Sequence, residues 1–261
     1  MSAGNERHES AFLKDALAGT RFSKVEWLSE TGSTNDDLLA RARQGAPEQV
    51  LITDLQTAGR GRRGRIWDAP ARSSILMSTL LRGRSPEDGF WAVGALALAA
   101  SQAVDAIVTS RCSLKWPNDV MLGDQADQKK VAGVLAQVAD DVVIVGIGIN
   151  VNWPNEVPPA LAERGTAVNR HTSGDVEVDR AALTVDILRR AIGHLDADAA
   201  ELRAAWRMQC ATIGQHVRID REPDAIVGNA VDIGPDGALV IENDVGRTVH
   251  YMGDVVHLRP A

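Results

Sequence analysis

The sequence predicts an α+β protein in two unequal parts: strands and helices over residues 1–210, then a small β-barrel over residues 211–261. A long apolar run, Phe90 to Val108, has helical length and is interrupted by Ser101, Gln102 and Asp105, so it reads as a buried helix and not a membrane span. Two β-branched runs, Val131 to Val138 and Val142 to Ile149, flank Asp140-Asp141 and read as a hairpin. After Cys210 the texture changes to short alternating runs separated by Pro223, Gly228, Pro235-Asp236-Gly237 and Asn243.

Residues 1 to 24 read as a loose or short helical lead-in, and Val25 to Trp27 as a first strand. A helix should start at Ser33-Thr34-Asn35, where a hydroxyl can cap the free amides and Asp36 and Asp37 suit the first turn. It should stop near Gly45, with Pro47 beyond. Val50 to Thr53 is a strand that feeds a glycine- and arginine-rich segment, Ala58 to Arg65, before a strand at Ser74 to Leu81. Ser113 to Met121 reads as strand and turn around Pro117 and Asn118, and Trp153 to Pro159 as a proline-rich loop. Helices are predicted at Arg180 to Leu195 and Asp198 to Met208, while Gly165 to Asp179 carries no usable signal. Five short strands follow: 217–219, 226–233, 238–241, 248–251 and 255–258.

With 44% apolar and 24% charged residues the chain is ordinary for a globular protein, and its net charge of −7 disfavours general binding to nucleic acid or anionic membrane. The polar start, MSAGNERHES, lacks the apolar core of a signal peptide, and two cysteines without a CxxC give no disulfide framework. A cytoplasmic location is the expectation. The six histidines are scattered, without metal spacing or a Ser/His/Asp set.

The most informative stretch is Gly59-Arg60-Gly61-Arg62-Arg63-Gly64-Arg65. It matches G-x-G-x-x-G after a strand, but Ile66-Trp67-Asp68-Ala69-Pro70 is no helix start, so the dinucleotide reading fails its own structural test. It is no Walker loop either. What remains is a mobile loop whose guanidinium groups suit carboxylate and phosphate, or a basic segment that contacts RNA. Four further pieces have simple readings when taken singly. Ser33-Thr34-Asn35 is a helix cap, Lys115-Trp116-Pro117-Asn118-Asp119 a turn, Lys130 an edge lysine, and Gly146-Ile147-Gly148-Ile149-Asn150 a bulged strand end.

In this order the set closely resembles the biotin protein ligase family: S-T-N, Q-x-x-G-R-G-R-R-G-R-x-W over Gln56 to Trp67, K-W-P-N-D, K-x-x-G-x-L over Lys130 to Leu135, and G-x-G-x-N. The resemblance implies a mixed-sheet catalytic domain with flanking helices and a small SH3-like domain. It implies ATP-dependent ligation of biotin to a lysine of a carboxylase's biotin acceptor domain, through biotinyl-5'-AMP. It places Arg62 and Lys130 at the reacting oxygens, and Ser33, Thr34, Asn35, Gln56, Arg60, Gly61, Gly133, Leu135 and Gly148 around biotin, with Gly146 beside them. Trp67 and Asn150 would meet the nucleotide, and magnesium would bridge phosphates, with Asp119 as a possible support. Leu76 departs from the aromatic residue some members carry near biotin. Only 32 residues precede Ser33, so the match is to short members and DNA is not an expected partner. A lipoate ligase or acyltransferase of related fold is the alternative, as is a non-catalytic ligand- or RNA-binding protein. The oligomeric state stays open between monomer and weak homodimer.

Overall fold

The computed structural model describes residues 2–85, 88–124, 127–157, 159–174, 176–220, 225–251 and 253–258; the side chains of 2–7 and 160 are not described. Pro223, one of the expected separators, lies outside these residues.

The larger part is a seven-stranded sheet in the order β1-β2-β3-β7-β6-β5-β4. Its strands are β1 (Val25–Leu28), β2 (Gln49–Thr53), β3 (Ser74–Arg82), β4 (Arg111–Lys115), β5 (Asp119–Gly123), β6 (Lys129–Ala139) and β7 (Val142–Asn150). Only β1 and β2 pair in parallel; every other neighbouring pair is antiparallel, so the sheet is mixed. The β6–β7 hairpin turns at Asp140-Asp141, where Asp140 takes φ 51°, a left-handed conformation that Asp tolerates better than most residues.

Strand alternation gives the sheet two different faces. On β7, Val143, Val145, Ile147 and Ile149 join the main core, packed with α1 (Ser2–Ala16), α3 (Gly89–Asp105), α5 (Arg180–Asp196) and α6 (Ala199–Gln209). Of the two readings of the lead-in, loose or short helical, the structure has a helix of 15 residues, and Leu13 and Leu17, one turn apart, are completely buried. Alanine-rich α3 is buried along most of its length; its small side chains let it lie close to the sheet. On the opposite face Leu51, Leu80, Val142 and Ile144 meet Leu38 and Ala42 of α2 (Thr34–Arg43). Helix α2 is short, and the far end of that face is left to polar residues and glycines.

The short helix α4 (Pro159–Arg164) leads into Gly165-Thr166, which lies beside β6: Gly165 bridges Lys130 in parallel, and Thr166 N–H donates to the Lys130 carbonyl at 2.9 Å. The C-terminal part is an antiparallel five-stranded sheet in the order β11-β10-β9-β8-β12. It is built from β8 (His216–Asp220), β9 (Ile226–Ile233), β10 (Leu239–Asn243), β11 (Gly246–His250) and β12 (Asp254–His257). It docks on the larger part through buried Trp116, whose Nε1 donates to the Gly237 carbonyl at 3.0 Å.

Candidate active site

The polar end of the α2 face forms the floor of a cavity of about 290 Å³. Registers place Leu76, Gly148, Gly133 and Asp119 in one row across β3, β7, β6 and β5, and Ser78, Gly146 and Leu135 in the next. Two glycines are needed for close approach here. A Cβ on Gly146 would stand 2.2 Å from Asn35 Oδ1, and one on Gly148 would stand 2.4 Å from Trp67 Cε2. The protein's own side chains therefore lie against these glycines, where the sequence reading expected ligand. Leu76 is buried and is not part of the cavity wall.

Ser33 is the N-cap of α2, its Oγ accepting from Asp36 N–H at 3.4 Å. The next two residues turn inward. Thr34 N–H and Oγ1 both donate to Gln56 Oε1, at 2.9 and 3.1 Å, and Thr34 Oγ1 and Ser78 Oγ are 2.6 Å apart. Ser78 Oγ donates to Asn35 Oδ1 at 2.6 Å. Thr34 thus ties the helix N-terminus to Gln56, and Asn35 ties it to β3.

The arginine loop closes on itself through Gly61 N–H to Arg65 O at 2.7 Å and Trp67 N–H to Gly59 O at 3.0 Å. Arg62–Gly64 is a 3-10 turn in which Arg63 takes φ 57° and ψ 34°. A left-handed non-glycine residue costs roughly 1–2 kcal/mol, so the turn needs support from outside. Three of the four arginines are ion-paired: Arg60 with Asp36 at 3.1 Å, and Arg63 (3.3 Å) and Arg65 with Asp254. Arg62 instead donates to Asn118 Oδ1 at 3.2 Å. Burial pushes the Arg62 pKa below the ordinary guanidinium value, with nearby Asp254 and Asp119 offsetting part of the effect.

Lys130, at the start of β6, places Nζ 2.6 Å from Asp119 Oδ1 and 5.4 Å from the centroid of the Trp67 ring. Lys115 is held below its usual pKa by burial, with Lys130 adding to the depression and Asp119 opposing it. Altogether five cationic side chains (Arg60, Arg62, Arg65, Lys115, Lys130) line the cavity against two carboxylates (Asp119, Asp254). A chain of net charge −7 thus concentrates positive charge at one place, which suits an anionic ligand. Two buried polar atoms on the wall, Trp67 Nε1 and Gln137 Oε1, have no hydrogen-bond partner among the described residues. Such atoms are costly unless something else satisfies them.

The cavity therefore brings together Ser33, Thr34, Asn35, Gln56, Arg60, Gly61, Arg62, Trp67, Asp119, Lys130, Gly133, Leu135, Gly146 and Gly148. It does not bring Asn150, which is buried at the end of β7 and donates Nδ2 to the Thr166 carbonyl at 3.0 Å. Asn150 thereby fastens the segment that pairs with the Lys130 backbone. Sequence reading missed Ser78, Gln137 and Asp254, and gave no separate role to Lys115 and Asn118, which it had named within K-W-P-N-D. Ser78 pairs with Gly146, and Gln137 lies two residues beyond Leu135 on β6; Asp254 comes from the other part of the chain and had no local signal.

Among the described residues no cluster of three or more His, Cys, Asp or Glu side chains is placed to hold a metal ion. Asp119 engages one oxygen with Lys130, so the donor set fits magnesium only as a companion of nucleotide phosphates, the usual way that ion binds.

The profile of the biotin/lipoate A/B protein ligase family matches residues 28–157, and that of the biotin protein ligase C-terminal domain matches residues 212–258. The chain is 39% identical to the biotin–[acetyl-CoA-carboxylase] ligase of Mycobacterium tuberculosis, over 95% of this chain and 94% of that protein. It is 29% identical to the bifunctional ligase/repressor BirA of Bacillus subtilis, over 93% of this chain and 76% of that one. The Aquifex aeolicus biotin protein ligase solved with biotin and ATP superposes with a TM-score of 0.77 at 30% identity, over 92% of this chain and all of that chain. With both profiles matched in order and a relative of this similarity aligned nearly end to end, the chain belongs to the biotin protein ligase family.

Proposed function

We propose that this chain joins biotin to a specific lysine of a carboxyl-carrier acceptor protein, in two steps that share one cavity. Biotin carboxylate oxygen bonds to the α-phosphorus of ATP while the bond to the β-phosphate oxygen breaks, giving biotinyl-5'-AMP and pyrophosphate. The acceptor lysine amine then bonds to the acyl carbon, loses a proton, and AMP leaves. No enzyme nucleophile is required. The work left to the protein is to bring two anions together and to keep water from the anhydride.

The carrying observation is the convergence of five cationic side chains on the cavity that also holds the Ser33–Asn35 network and two unsatisfied polar atoms. Lys130 and Arg62 are our candidates for the groups that stabilise charge on the carboxylate and α-phosphate oxygens; fixed cationic donors at developing charge are among the strongest catalytic devices. We assign Ser33, Thr34, Asn35 and Gln56 to the ureido ring of biotin, with Arg60, Gly61, Gly133, Leu135 and Gly148 completing that subsite; their shared place in the cavity lining supports this. Trp67 offers an aromatic face to adenine. Asp119 would help hold a magnesium ion brought by the triphosphate, which would supply charge neutralisation there. We place the division between catalytic and C-terminal domains at residue 210. The cytoplasm is the expected compartment, where two unpaired thiols are stable; among the described residues no helix is long and apolar enough to cross a membrane.

ATP–pyrophosphate exchange with biotin and lipoate side by side tests this. Exchange should require biotin. Exchange supported by lipoate alone would move the assignment to the related acyl ligases.

A further inference from the structure

Two cations of the loop, Arg63 and Arg65, converge on a single carboxylate of the C-terminal sheet, 189 to 191 residues distant in sequence. We propose that Asp254 is a positioning residue for the ligase reaction: by holding Arg63 and Arg65 it fixes the loop over the cavity with Arg62 turned inward, and so governs retention of the activated acyl intermediate. This rests on the ligase reading given above.

Four observations carry it. Arg62 alone of the loop's four arginines makes no ion pair among the described residues, so it is the guanidinium that enters the cavity without a carboxylate partner. Arg63 sits in left-handed backbone, and its guanidinium reaches both Asp254 Oδ2 at 3.3 Å and the Asp220 carbonyl at 3.5 Å. Those two acceptors are register partners on β12 and β8, so the contact is with an ordered rung of the sheet. Asp254 and Val255 also form part of the cavity wall, which makes the C-terminal sheet one side of the site. Burial alone would raise the Asp254 pKa, but the two guanidiniums hold it below the ordinary carboxylate value, so it stays charged. The pairs are half-exposed and therefore sensitive to salt.

The test uses the full chain with Asp254→Asn, Asp254→Glu, the Arg63→Ala/Arg65→Ala pair, and all three neutralisations together. Wild-type exchange comes first; if biotin does not support it, the ligase reading fails whatever Asp254 does. Given exchange, two quantities are read: KM for biotin, and biotin labelling of serum albumin, which reports intermediate lost to solvent. Asp254→Asn should raise both by about fivefold, the size expected when one carboxylate loses two partly exposed partners. Asp254→Glu should recover most of the loss. Adding Asp254→Asn to the arginine pair should change nothing further, and wild type should drift toward the variants as ionic strength rises. Simple additivity, or wild-type albumin labelling by Asp254→Asn, overturns the proposal. Should Asp254→Asn melt early, the arginine pair on the exposed loop decides alone: unchanged labelling there overturns it equally.

Discussion

Lys130 shows how several weak constraints can fix one ammonium. Its backbone is gripped by Thr166, its Nζ by Asp119, and its approach is bounded by the Trp67 ring. Lys130→Ala should lower biotin-dependent exchange by at least about a hundredfold, the scale of losing one preorganised charge donor. Exchange within twofold of wild type would remove Lys130 from the mechanism. Gly148 makes the complementary point. A methyl group there would intrude on the Trp67 indole, so Gly148→Ala should cost roughly 1–3 kcal/mol by overpacking and raise KM for ATP. Calorimetry and exchange kinetics on the same sample check both parts; an unchanged melt with unchanged KM would mean the indole moves aside freely.

At the scale of elements, caps do much of the work of setting boundaries. Asp179 accepts from Ala181 N–H and Ala182 N–H at 2.9 and 3.0 Å and so starts α5. Asp179→Ala should cost about 1 kcal/mol, lowering Tm by about 2–4 °C and leaving exchange near wild type. A loss of exchange larger than the loss of stability would give Asp179 another role. Caps and periodicity also explain what was legible. The β6–β7 hairpin, helices α3, α5 and α6, and the five C-terminal strands all appear within a few residues of their expected positions, because each has a strong period or a turn residue at its end. The lead-in stayed open between loose and short helical because its apolar residues are few and their burial depends on a distant sheet. The segment from Gly165 onward carried no signal because it has no regular period: Gly165-Thr166 act by backbone pairing to Lys130, and Asn169 and His171 by contacts with Trp153, Ser110 and Thr166. Asn150 was expected at the nucleotide because the resemblance implied it. Alternation alone puts it on the cavity face, but the Thr166 carbonyl lies over it.

For the whole molecule the joint between the two parts is the feature to test. His257, on the C-terminal sheet, lies beside Thr212 at 3.2 Å and is pushed down to about 4 by burial and then by the charge on Lys115. Its folded pKa lies below the ordinary 6.5, so the unfolded chain binds the extra proton first. The stability tied to neutral His257 is complete above about pH 6.5 and is lost as pH falls toward 4. Across that window the Tm of wild type should fall more steeply than that of His257→Gln, measured by thermal melts at fixed ionic strength. Parallel curves would show that other groups dominate the acid limb.

The indole of Trp67 rests on a glycine floor, its N–H without a hydrogen-bond partner among the described residues and a lysine ammonium close to its ring. Of the chain's six tryptophans it is one of two that line the cavity, and the other, Trp116, is almost wholly shielded from solvent. A built-in optical reporter follows from this placement. Occupancy should change the polarity around a single chromophore, so emission spectra recorded with and without a Trp67→Phe comparison can time ligand arrival directly, without a label.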